Sequence, residues 1–78
     1  MTIDNITMPA TVRQELDLLL ATINRATTGG EAERAGIRAE GFVLGVERLK
    51  ALQPVSIEAL YLVVEQAVEW RVGELAAQ

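Results

Sequence analysis

The sequence predicts an all-α domain of three helices, with the second and third folded as an antiparallel hairpin. Three observations lead there. Apolar residues recur at alternating steps of three and four, which is the period of one helical face. The pattern breaks at only two internal places, Thr28-Gly29-Gly30 and Gln53-Pro54-Val55-Ser56. Half of the residues are hydrophobic, yet only Phe42, Tyr61 and Trp70 are aromatic, an aliphatic composition suited to helix-on-helix packing. The stretch from Ala35 to Leu75 holds both hairpin helices, and the rest of the chain is expected to pack against it. At 78 residues the chain is one domain, spanning 1–78.

Residues 1–7 either fray, as untethered termini do, or fold back through Ile3 and Ile6. The first helix is expected over 9–27. Pro9 suits a first turn because its missing N–H has no helical partner there, and Thr7 has the chemistry of a cap. Val12, Leu16, Leu19, Ile23 and Ala26 form one stripe, widened by Leu18 and Leu20. The glycine pair Gly29-Gly30 then serves as a hinge between elements.

The second helix is expected over 31–52. Glu31 and Glu33 suit the positive end of its dipole. Its main stripe is Ala35, Ala39, Phe42, Val46, Leu49 and Gln53; a second line runs through Ile37, Gly41, Leu44 or Gly45, and Arg48. Gly36, Gly41 and Gly45 lie inside this helix, and each costs about 1 kcal/mol relative to alanine. Gly41 and Gly45 share a face with Ile37. That face is either a tight crossing within the chain, a seam between two copies, or an open groove.

The third helix is expected over 56–76, capped by Ser56. Leu60, Val63, Ala67 and Trp70 make one apolar line; Tyr61, Val64, Val68, Val72 and Leu75 make a second. A helix apolar over most of its circumference has to be covered on two sides. A homodimer is therefore expected, with Val64 and Val68 or the Gly41–Gly45 face in its seam. A domain this small is marginal alone, and cysteine-based staples are absent from the sequence.

Chemistry is poorly provided for. The chain has no cysteine and no histidine, so thiolate ligands and the usual near-neutral base are missing. Glu65 and Glu69 are neighbours on one helix, but without histidine they read as a solvated face rather than a metal site. Ser56 reads as a cap, not a nucleophile, for want of a base. Gly29-Gly30 lacks the surroundings of a phosphate loop. No catalytic, cofactor-binding or metal-binding residue is assigned, and an enzyme is not expected.

The net charge of −4 disfavours nucleic acid and anionic membranes alike. Arg34, Arg38 and Arg48 alternate with Glu31, Glu33, Glu40 and Glu47, which predicts exposed ion pairs on the second helix. The N-terminus has no basic, apolar leader, and the longest apolar run is Ala59 to Val64. No membrane association and a cytoplasmic location are expected. Trp70, Tyr61 and Arg71 are interface-type residues: Trp70 either closes the open end of the hairpin core, or the three form a protein-binding surface. The interface candidates are thus Gly41, Gly45, Tyr61, Val64, Val68, Trp70 and Arg71.

The segment from Ala39 to Glu47, AEGFVLGVE, followed by a proline turn and Ile57-Glu58-Ala59-Leu60-Tyr61, resembles small helical accessory proteins encoded by phages and prophages. The resemblance covers about half of the chain and carries over no functional residue. It implies a compact binder that blocks or redirects a host protein or defence system. The leading expectation is a non-enzymatic protein-binding module of that kind. The alternatives are a small regulator linked to transcription or nucleic acid, and an assembly or structural subunit.

Overall fold

The computed structural model describes residues 3–78. Three helices follow one another: α1 (Ala10–Asn24), α2 (Gly29–Arg48) and α3 (Pro54–Ala76). No strand occurs among the described residues. The body measures 39 × 20 × 18 Å. Its long axis matches α3, whose 23 residues at 1.5 Å each span about 35 Å.

Met1 and Thr2 lie outside the described residues. From Ile3 onward the lead folds back: Ile3 is buried in the core, and its carbonyl accepts from the Ile6 amide at 3.1 Å. Asp4 reaches Arg13 at 2.7 Å, and Arg13 also pairs with Asp17. Thr7 does not cap α1. Pro9 occupies the cap position, extended at φ −57° and ψ 145°, with no side-chain cap bond. The helix begins one residue later than expected and ends at Asn24 rather than Thr27.

The α1–α2 corner is built on side-chain oxygens. The Glu31 amide donates to Thr28 Oγ1 at 3.1 Å, while the Glu31 carboxylate accepts from the Thr27 amide at 2.7 Å and the Thr27 hydroxyl at 2.6 Å. This is a capping box shifted by one residue. Its reach makes Gly29 and Gly30 the first two residues of α2 instead of a hinge; neither has positive φ.

α2 stops at Arg48, four residues before its expected end. Lys50 adopts φ 56°, the Lys50 amide bonds to Glu47 O at 3.0 Å and the Ala51 amide to Val46 O at 3.2 Å. These are the paired bonds of a Schellman ending, with lysine where glycine is usual. Pro54 then starts α3 rather than merely ending α2: it is the first helical residue, and the Ser56 and Ile57 amides both bond to Gln53 O at 3.0 Å. Ser56 therefore lies inside the first turn and is not the cap.

Leu16, Leu19 and Ile23 of α1 meet Ala39, Val43 and Val46 of α2 and Ile57, Leu60, Val63 and Val64 of α3 in one core. The α1 stripe is the expected one, except that Leu18, expected to widen it, is 62% exposed. The α2 stripe is rotated: Ala32, Gly36, Ala39, Val43 and Val46 face inward, Phe42 is half-buried, and Leu49 is 82% exposed. Tyr61 meets Glu47 while Val68 meets Gly36, so α2 and α3 run antiparallel, as a hairpin. α1 packs against both, more closely on α2. No described helix is long and apolar enough to cross a membrane.

Candidate functional site

The crossing of α2 and α3 decides which candidate residues face out. Gly36 is buried, and a β-carbon there would overlap Val68 Cγ2. The tight crossing is at Gly36, not at Gly41 or Gly45. Both of those are exposed, with no neighbouring atom within 4 Å of a β-carbon added to either.

Close approach at Gly36 draws the second apolar line of α3 inward. Val64 is 0% exposed, and Val68 and Tyr61 are partly buried against the core. Val72 and Leu75 are half-buried. The expectation that Val64 and Val68 line an external seam is thereby corrected: α2 already encloses Val64 and holds Val68. Tyr61 spans the hairpin, its hydroxyl donating to a Glu47 carboxylate oxygen at 3.3 Å. Desolvation, and then the Glu47 charge, hold its phenol above the ordinary pKa of 10.0.

Arg71 also points inward. Its Nε donates to Ala26 O at 2.9 Å in a partly buried bond, and its Nη1 lies 3.4 Å from Glu74. The guanidinium fastens the C-terminal half of α3 to the end of the α1–α2 corner. Its position on the inner side removes it from the expected binding surface.

Trp70 is the reverse case. It is 69% exposed and does not close the core. Its indole edges an open groove between α1 and α3, with Leu20 and Asn24 on one wall and Val63, Gln66 and Ala67 on the other. Val55 (72% exposed) and Leu62 (46%) lie on the same outer ridge of α3, spaced seven and then eight residues apart, so all three share one face. Glu58, Glu65 and Glu69, all exposed, run along one border of that ridge. Sequence reasoning found Trp70 but missed Val55 and Leu62. Their spacing from Trp70 was the available signal, masked by the longer apolar lines beside it.

On α2 the second line stands outside: Ile37 is 68% exposed and Leu44 44%. Ion pairs among the described residues involve Arg13 and Arg71. The pairs expected of Arg34, Arg38 and Arg48 do not form. Arg25, Arg34 and Arg38 instead line a dent at the α1–α2 corner, together with Thr22, Thr27 and Glu31. No described group of three or more acidic side chains is placed to hold a metal ion. Among the described residues no side-chain nitrogen or oxygen is buried without a partner. Comparison with known proteins finds no matching family model, no matching curated sequence and no matching solved structure.

Proposed function

We propose that the chain is a non-enzymatic protein-binding module whose partner docks on the outer ridge of α3. The observation that carries this reading is Trp70, a large aromatic side chain 69% exposed on a rigid helix. Tryptophan on a fixed scaffold is the typical anchor of a protein contact, since it buries much area and loses little freedom. Leu62 and Val55 extend the apolar contact along the same ridge. The glutamate border at Glu58, Glu65 and Glu69 selects a partner segment that pairs apolar side chains with lysine or arginine. The resemblance to phage accessory proteins makes a host protein, blocked by this contact, the partner class of choice.

A regulator of the nucleic-acid machinery is the second reading. The dent lined by Arg25, Arg34 and Arg38 favours it, because arginine suits phosphate recognition.

The test is affinity capture from host lysate with mass spectrometry, followed by binding of the purified partner. Trp70→Ala and Leu62→Ala each abolish capture while thermal unfolding is unchanged. Emission from Trp70, the sole tryptophan, shifts to the blue as the partner covers it. Capture untouched by both substitutions overturns the reading. A salt-sensitive shift of RNA or DNA in a gel, lost on Arg34→Ala, favours the regulator instead.

A further inference from the structure

We propose that the outer face of α2 is a seam between two copies of this chain, lying side by side with their α2 helices parallel. The inference shares with the preceding one the premise that the chain acts through protein contacts, but it rests on a different helix.

The face has two apolar side chains and two arginines along its centre, an acidic edge on one side and Arg38 on the other. Ile37 and Leu44, seven residues apart, stand on its midline. Gly41 lies between them, exposed and without a neighbour, so a second backbone can come close. Glu33, Glu40 and Glu47 follow one edge at intervals of seven. Arg34, Arg38 and Arg48 occupy the midline and the other edge, all exposed. Within the single chain these arginines take no part in the described ion pairs.

The seven-residue spacing is that of two helices packed at a small angle. Ile37 and Leu44 take one seam position of the heptad; Arg34, Gly41 and Arg48 take the other. Glu33 then flanks the seam on one side and Arg38 on the other, five residues further on. In a parallel pair this is the separation at which flanking side chains of the two helices meet, so Glu33 faces Arg38 of the second copy, and the symmetry repeats the contact. Arg34 and Arg48 each come opposite their own copy, and Glu33 and Glu47 of the second copy, beside them, offset that like-charge contact. An antiparallel pair sets the glutamate edge against itself and loses these contacts. The charge pattern thus selects both the occupant and its direction.

The outer ridge of α3 cannot pair with itself in the same way. Its acidic border of Glu58, Glu65 and Glu69 has no basic counterpart on the opposite edge, so an antiparallel pair brings like charges together and a parallel pair gains no ion pair. Self-association is therefore assigned to α2.

The test uses the full chain in sedimentation equilibrium at low salt. Wild type shows a reversible monomer–dimer equilibrium. Glu33→Arg and Arg38→Glu each weaken it about tenfold, because two attractive contacts become repulsive. The double variant carrying both changes recovers the wild-type constant, and an equimolar mixture of the two single variants forms a heterodimer. Both positions of change are exposed, and helical circular dichroism verifies that each variant folds. Direction is read separately. The chain has no cysteine of its own, so Ile37→Cys and Leu44→Cys each give a disulfide-linked dimer under mild oxidation only where each residue faces its own copy. A chain that stays single to millimolar concentration overturns the proposal. So do charge reversals that leave the constant unchanged, or cysteines that cross-link only when the two variants are mixed. Loss of α3 binding on Trp70→Ala with the dimer intact separates the two readings.

Discussion

Val68 on α3 occupies the space that a β-carbon at position 36 of α2 would need. The contact lets the two backbones of the hairpin approach and places Val68 and Val64 on the inner side. It also separates three glycines that look alike in sequence. Gly36→Ala gains about 1 kcal/mol of helix propensity but must push Val68 aside, at about 1–3 kcal/mol. The expected net is a loss of stability. Gly41→Ala and Gly45→Ala meet no atom and keep the propensity gain of about 1 kcal/mol each. Urea unfolding of the three variants at low concentration, where the chain is single, gives opposite signs if the crossing is at Gly36.

The end of α2 holds a second imbalance. Lys50 sits at φ 56°, a conformation that costs an ordinary residue about 1 kcal/mol and glycine almost nothing. Lys50→Gly is expected to stabilise the chain by about 1 kcal/mol, less the greater freedom glycine gives the unfolded state. Lys50→Ala should leave stability within about 0.5 kcal/mol of wild type. The midpoint of denaturant unfolding measures both.

Adjacent residues on α3 carry opposite roles. Arg71→Ala removes the bond to Ala26 O in a partly buried setting, and an expected 1–2 kcal/mol of stability is lost, about the value of a charge-assisted hydrogen bond. Trp70→Ala, by contrast, changes stability by no more than about 0.5 kcal/mol, because the side chain is mostly in water. Thermal unfolding of the two variants discriminates them. Equal losses would mean that Trp70 is a structural residue.

The α1–α2 corner depends on a charged Glu31. Hydrogen bonds from the Thr27 hydroxyl and amide hold its carboxyl below the ordinary value of 4.5. A group whose folded-state pKa is lowered stabilises the fold fully above its unfolded value and loses that contribution as pH falls through the folded value. Stability is therefore expected to decline on acidification below about pH 4.5, through the window set by that lowered pKa. In Glu31→Gln this part of the decline is absent. Melting temperatures between pH 3 and pH 6 for the two proteins, with amide exchange at Thr27 and Glu31, measure the difference.

What the sequence by itself determined is local. The existence and order of three helices follow from the three-four spacing, and the α1 stripe of Val12, Leu16, Leu19 and Ile23 was legible because that helix has one dominant apolar face. The break points were legible too, though not their chemistry. Pro54 reads equally well as an end or a beginning, and the hydrogen bonds to Gln53 O make it a beginning. What only the tertiary structure decided is rotation. α2 carries two apolar lines and α3 several, and periodicity ranks them no further. The choice falls to the closest pair of backbones, which requires a residue without a side chain on one helix and a branched one opposite. Gly36 and Val68 supply that pair, and their contact turns Val43 and Val64 inward while Ile37, Leu44, Leu62 and Trp70 are left facing water.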